Sequence, residues 1–428
     1  MVEKYVELWK SLGIDLDKHG LLMAALPKFV VDLVLSQKNR PKKMDYFDFV
    51  LSEIHGLRVE ELAKLRAAGN KVVGAFCLYA PEELAYAANA TMVGLCGGAD
   101  FSVPDAEKVL PQNLCPLIKS FYGFKVGLTC PYFQSCDIVV GETTCDGKKK
   151  VYELLNEEIP TYVIEIPHKP DTTQGRSLWM KELEAFKAEL ERITGNKVTA
   201  EKLKASIELI NNKRKALKRL SDLRKNSPSP ISGLDALIVM QISFYDDVKR
   251  FTAKVNELCD ELEERVRKGI GVADKDAPRL MVSGCPMAIP NWKLHSIVET
   301  AGASIVVEES CVGTRYFSDL VEPKGETVND LLHALVDKYS KIPCACFTPN
   351  DARTKSVDKL TKEFNIDGVV YYTLQYCHSY NVEAVKVGRA LKAVGLPMLK
   401  IETDYGMGDA AQIKTRVEAF LEIIEGKQ

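Results

Sequence analysis

No C-x-x-C pair occurs anywhere in the 428 residues, although the chain carries twelve cysteines. That absence removes the thioredoxin motif and the bacterial ferredoxin run, and it argues against zinc, whose sites usually present close cysteine pairs. There is no G-x-x-x-x-G-K-[ST], and Gly147-Lys-Lys-Lys lacks the upstream glycine and hydroxyl residue of a phosphate loop. If ATP is used, another protein must bind it. Long apolar runs are missing too; none would span a bilayer. The opening Met1-Val-Glu-Lys-Tyr-Val-Glu mixes charges and has no secretory apolar block, so a cytoplasmic protein is expected. A formal net charge of -2 leaves no global field to attract nucleic acid or an acidic membrane.

What is present is an ordinary globular composition, 46% hydrophobic and 27% charged, with ample material for packed cores. The length suits two or three domains. A chain of this size needs no disulfide staples, so its thiols point to core packing, catalysis or metal. Any one buried cysteine is as readily a small core hydrophobe as a ligand. Position has to separate the two.

Hydrophobic periodicity divides the chain into four. Residues 1–68 read as amphipathic helices, with Leu21–Val34, Tyr46–Leu51 and Leu57–Leu65 at helical spacing. Residues 69–175 alternate strand and helix, through Lys71-Val-Val-Gly-Ala-Phe, Glu82–Ala90, Thr91–Leu95, Asp137-Ile-Val-Val-Gly and Tyr162–Ile166. Residues 176–270 are helical, with a Ser/Pro break at Asn226-Ser-Pro-Ser-Pro. The alternation returns over 271–428 in Arg279-Leu-Met-Val-Ser-Gly, Ser304-Ile-Val-Val, Asp367-Gly-Val-Val-Tyr-Tyr and Met398-Leu-Lys-Ile. The expected fold class is α/β. Two similar open parallel-sheet domains are joined by a helical segment and preceded by a helical extension.

The two α/β halves match where their cysteines fall. Strands ending at Cys77 and Cys285 each lead toward a proline-started helix, at Pro81 and Pro290. The second strands end at Cys96 and Cys311. Cys115, in Asn-Leu-Cys-Pro, parallels Cys346, and Cys145 parallels Cys377. In an open parallel sheet the loops at the carboxyl ends of strands converge on one crevice. Thiols placed there repeatedly can share a site between two domains, which core packing does not explain. Dispersed thiolates, each from a different loop, fit an iron–sulfur cluster better than zinc.

Four stretches then resemble a known family: Cys77-Leu-Tyr-Ala-Pro-Glu-Glu-Leu-Ala-Tyr-Ala-Ala, Asn113-Leu-Cys-Pro-Leu-Ile-Lys-Ser, Gly141-Glu-Thr-Thr-Cys-Asp-Gly-Lys-Lys-Lys and Cys311-Val-Gly-Thr-Arg. They are similar to the 2-hydroxyacyl-CoA dehydratase and benzoyl-CoA reductase family, across both α/β halves. The further cysteines Cys96, Cys130 and Cys285, with Cys344-Ala-Cys346, make the chain most similar to the double-cubane cluster proteins of that family. The resemblance implies a homodimer holding an 8Fe-9S double cubane in each subunit. It also implies a separate ATP-hydrolysing iron–sulfur activator as electron source, and low-potential reduction of a small substrate. Two alternatives stand beside this one: a 2-hydroxyacyl-CoA dehydratase subunit with a 4Fe-4S cluster, and a cluster-bearing electron carrier with no catalysis of its own.

A double cubane implies three thiolates for each half of the cluster. Repeat symmetry then suggests Cys77, Cys115 and Cys145 with Cys285, Cys346 and Cys377; Cys96 and Cys311 are close alternatives. Cys136 and Cys259 read as core residues, while Cys130 and Cys344 stay undecided. Reduction needs protons, and His378, beside Cys377, is the first candidate donor, with Glu309, Glu142 and Tyr376 behind it. Lys148–Lys150 and Arg315 are candidates for an anionic substrate or a coenzyme A phosphate, or else a solvated charge run.

Overall fold

β-Branched residues in short runs bounded by glycine or asparagine make eight strands among the described residues, 2–426 of this computed structural model. β1 (Lys71–Ala75), β2 (Ala90–Gly94), β3 (Ile138–Glu142) and β4 (Thr161–Ile164) form one sheet. β5 (Arg279–Gly284), β6 (Ser304–Glu309), β7 (Gly368–Leu374) and β8 (Met398–Thr403) form the other. All pairings are parallel. The strand orders are β2-β1-β3-β4 and β6-β5-β7-β8, so the repeat in sequence is also a repeat in topology. In each sheet the winding direction reverses between the first strand and the third, which opens a crevice at their carboxyl ends.

Alternation along the strands supplies two core faces per sheet. Val72 and Val139 of the first sheet share one core with Leu280, Val282 and Val370 of the second. Val73, Ile138 and Val140 face outward onto a separate core containing Trp179 and Phe186, while Met281, Val307 and Val369 face another. The two sheets therefore turn their inner faces toward one shared core, where the N-terminal helices Asp45–Ser52 and Leu57–Ala67 also bury Phe47 and Leu62.

The central segment holds the helices expected from periodicity, Thr173–Thr194, Ala200–Leu223 and Val248–Arg267. Thr172, Thr199 and Asp247 cap their first turns by accepting backbone N–H bonds, and Gly195 ends the first of them in the left-handed region, at φ 70°. A fourth helix, Gly233–Ile242, follows the Ser/Pro break and is buried along its whole length. Lacking a polar face, it has no amphipathic stripe for periodicity to detect. One local expectation is corrected: Pro290 does not start a helix, and the helix begins at Lys293. The intervening segment instead pairs with the first half, where the Gly98 N–H donates to the Ile289 carbonyl at 2.7 Å and Gly97 bridges Ile289.

Candidate functional site

Both halves deliver thiols to their crevices in step. Cys96 and Cys311 follow β2 and β6, Cys145 and Cys377 follow β3 and β7, and Cys77 and Cys285 follow the first strands. Cys145 and Cys377 are also the N-cap residues of helices Asp146–Glu158 and His378–Ala393, as Cys115 is of Pro116–Val126. Unpaired backbone N–H groups at a helix start favour sulfur in its thiolate form; the Lys148 N–H donates to Cys145 Sγ at 3.5 Å. Gly284 makes the Cys285 position possible. Its φ is +129°, and a Cβ there would lie 2.0 Å from the Tyr372 carbonyl oxygen.

None of the twelve cysteines is in a disulfide. Nine of them gather at the crevices, in two neighbourhoods. Cys115, Cys377 and Cys285 lie side by side, with Cys145 interacting with Cys115. Cys344 and Cys346 are neighbours and interact with Cys77, while Cys311 interacts with Cys77, Cys96 and Cys344. Two tyrosines link the neighbourhoods: Tyr152 interacts with Cys77, Cys96 and Cys145, and Tyr405 with Cys96, Cys115 and Cys285. Both neighbourhoods draw on both halves of the chain. Burial pushes the Cys77 and Cys96 thiols up to about 12 and Cys145 to about 11. The neighbouring Cys346 thiol and the Arg315 guanidinium do the opposite to Cys344, lowering it. No three His, Cys, Asp or Glu side chains among the described residues converge closely enough to hold a single metal ion.

Of the expected ligands, Cys115, Cys145, Cys285 and Cys377 lie in one neighbourhood and Cys77 and Cys346 in the other. Cys311 and Cys344 join the latter, and a repeat comparison alone does not rank them. Cys344 has no counterpart in the first half, so its signal was only its closeness to Cys346. Cys136 and Cys259 are core residues whose thiols donate to the Tyr132 and Ala216 carbonyls. Cys130 packs near Cys136, away from the crevice thiols.

The candidate proton carriers lie in unlike surroundings. His378 is exposed at the head of its helix, and Tyr376 beside it is 44% exposed. Glu309 is sealed: it accepts from Arg315 Nε at 2.8 Å, Arg353 Nη2 at 3.0 Å and Ser283 Oγ at 2.9 Å. Arg315 turns its other edge to the thiols, with Nη1 bonded to the Tyr380 hydroxyl and 3.8 Å from Cys311 Sγ. Tyr380 in turn lies 3.8 Å from Cys344 Sγ. Glu142, 1% exposed, holds the Lys148 ammonium, which lies 4.5 Å above the Phe76 ring. Lys149 and Lys150 point outward and pair with Asp146 and Glu153. The lysine run therefore sends only its first member inward.

Beside Cys77, Cys96 and Cys311 the crevice opens into a cavity of about 120 Å³. Its walls are largely apolar, with Met92, Leu117, Phe244 and Ile289 among them, and besides its cysteines its polar side chains are Glu82, Lys148, Gln241 and Tyr245. Gln241 is committed at both ends, accepting from Trp292 Nε1 at 2.8 Å and donating to the Met287 carbonyl at 2.7 Å. Glu82 is fixed from behind by Lys213 Nζ at 2.6 Å and the Tyr316 hydroxyl at 2.5 Å. Glu82 and Gln241 escape sequence reasoning, since nothing in their local motifs reveals that one cavity unites them.

Comparison with known proteins agrees with this geometry. The family model described as 2-hydroxyglutaryl-CoA dehydratase, D-component, matches residues 77–424. YjiM of Escherichia coli (strain K12), named for a dehydratase subunit, is 38% identical over 84% of this chain and 93% of its own. The (R)-phenyllactyl-CoA dehydratase beta subunit of Clostridium sporogenes is 25% identical over 84% of this chain and 93% of its own. A benzoyl-CoA reductase subunit of Thauera aromatica is 20% identical over 83% of this chain and 91% of its own. A match that begins at the first crevice cysteine, just past β1, and takes in the other seven strands shows that the chain belongs to the 2-hydroxyglutaryl-CoA dehydratase D-component family.

Proposed function

We propose that this chain is the iron–sulfur component of a cytoplasmic enzyme that reduces a small molecule at low potential. In this reading it holds an 8Fe-9S double cubane, works as a homodimer and takes electrons from a separate ATP-hydrolysing activator. One observation carries the proposal: nine free thiols from both halves gather in two neighbourhoods, one of them beside an apolar cavity, more than a single 4Fe-4S cluster takes up. The donor set fits such a group. It is made of soft thiols alone, they are free, and helix starts and buried cations stand ready to favour thiolates. The Tyr405 hydroxyl, buried beside Cys96, Cys115 and Cys285 with no hydrogen-bond partner among the described residues, is a donor awaiting an acceptor.

Cys77, Cys115, Cys145, Cys285, Cys346 and Cys377 remain the proposed ligands, with Cys311 and Cys344 favoured as replacements by their place in the crevice. When bound, the group supplies low-potential electrons to a molecule in the cavity. The chain's own side chains do the rest. Met92, Leu117 and Phe244 keep water from that molecule, and Gln241 and Glu82 hold fixed polar positions on the wall. His378 is the proposed proton carrier on the solvent side of Cys377, whereas Glu309 is a positioning residue for Arg315. Chemical analysis of anaerobically purified protein tests the proposal. About eight irons and nine sulfides per chain are expected, together with a reduced-state EPR signal; four irons per chain would overturn the double cubane.

A second reading, a dehydratase subunit with one 4Fe-4S cluster and an unlike partner, is favoured by the names of the dehydratase relatives. It expects four irons and co-purification with a second chain. A stable homodimer that does not respond to any 2-hydroxyacyl-CoA would exclude it.

A further inference from the structure

Each half of the chain aims one largely enclosed cation at the same end of the thiol sites. In the first half Glu142, the last residue of β3, pins Lys148, whose side chain is 12% exposed. In the second, Glu309, the last residue of β6, pins Arg315, whose side chain is 1% exposed. The carboxylates sit behind their cations: Glu309 takes Nε and Nη2 of Arg315, leaving Nη1 toward Cys311 and Tyr380. Lys148 lines the cavity together with Cys77, Cys96 and Cys311, and Arg315 reaches Cys311 Sγ at 3.8 Å and Cys344 through the Tyr380 hydroxyl. All of these belong to the neighbourhood that borders the cavity. The other one, Cys115, Cys145, Cys285 and Cys377, has its own thiols and backbone N–H groups at helix starts around it, and the cation near it, Lys149 by Cys145, is half exposed and paired with Asp146.

We infer that Lys148 and Arg315 polarise the crevice, so that negative charge added to whatever its thiols hold is stabilised at the cavity end, beside Cys77 and Cys311. The physical basis is simple. A fixed cation in a poorly solvated site interacts strongly with nearby added charge, and hydrogen bonds and burial around sulfur set reduction potentials. An electron arriving at the far end then meets a downhill gradient toward the substrate cavity. Lys148 and Arg315 are positioning residues in this account, since they act through the thiols. The inference rests on the iron–sulfur reading and adds a direction to it.

Redox titration of the reconstituted full chain, followed by EPR, tests it. Lys148→Gln is expected to lower the midpoint by at least a tenfold change in the one-electron equilibrium, about 59 mV. Tyr380→Phe removes only the hydroxyl between Arg315 and Cys344 and is expected to shift the midpoint in the same direction. Lys386→Gln removes an equal charge from the exposed face of helix His378–Ala393, where it pairs with Asp351 at 2.6 Å, and should leave the midpoint in place. Unchanged midpoints in both Lys148→Gln and Tyr380→Phe overturn the inference, as does an equal shift in Lys386→Gln. Should Lys148→Gln fail to take up iron, Tyr380→Phe decides alone. Absence of iron from the wild-type chain is a separate result: it defeats the iron–sulfur reading itself and this inference with it.

Discussion

A thiol's surroundings decide its work. Cys259 sits in an amphipathic helix with its side chain in the shared core, whereas Cys77, Cys285 and Cys377 stand at strand ends among other thiols. Replacing any of those three with alanine is expected to lower iron per chain well below the wild-type value. Cys259→Ala should keep full iron and cost about 1 kcal/mol in a urea titration, the worth of one small buried group. Histidine offers a second prediction. His19 Nε2 and His55 Nδ1 are 2.9 Å apart in the core, and burial lowers them to about 4 and about 3. A depressed folded value means that the unfolded chain binds protons first as pH falls. The stability held by the neutral pair is whole above about pH 6.5 and drains as pH drops toward 4. For His19 alone this amounts to about 3 kcal/mol. Urea midpoints measured from pH 7 to 4.5 should fall for the wild type and fall less for the His19→Gln, His55→Gln double variant.

At the scale of elements, the glycine ending β5 is the most constrained joint. Gly284 hands the chain from a central strand to Cys285, and any Cβ there collides with the β7 backbone. Gly284→Ala is expected to cost about 3 kcal/mol or more, or to prevent folding, as read by the yield of soluble protein and its melting temperature. The strands themselves were legible in the sequence because buried parallel strands make short β-branched runs, and each is found within a residue or two of its expected place. Helix Gly233–Ile242 was not, although it carries Gln241 to the cavity wall. Periodicity registers a boundary between core and solvent, and this helix has none. Pro290 misled for a related reason. A proline after a strand favours a helix start locally, and here a pairing between Ile289 and Gly97 across the two halves prevails.

For the whole molecule, one helix fastens both sheets. Ala200–Leu223 bonds Arg214 to Glu83 at 2.6 Å, with both side chains 0% exposed, beside the first sheet. The Arg224 that ends the helix grips Glu308 of β6 with two bonds, at 2.6 and 2.7 Å. Arg214→Met alone should cost about 3–5 kcal/mol, because it strands the buried Glu83 carboxylate. The Arg214→Met, Glu83→Leu double variant should recover part of that loss in urea unfolding, since it removes both charges of the pair while taking a partner from the buried Lys338 and the Tyr339 hydroxyl. Failure of the second change to restore stability would show that the pair is held for geometry, keeping the sheets in register around the crevice.

By itself the sequence determined the α/β class, the internal repeat and the placing of thiols at strand ends, because each of these is written in local residue order. It also reached Lys148, Arg315 and Glu309 as residues near the cysteines. Only the tertiary structure decided how the thiols divide into two neighbourhoods that each draw on both halves, since that depends on how two sheets face one another. It alone separated inward Lys148 from outward Lys149 and Lys150, sealed Glu309 behind Arg315, and joined Glu82 to Gln241 across one cavity. The physical reason is the same in each case. Side-chain direction and long-range contact arise when distant segments pack, and no local pattern encodes which of them will meet.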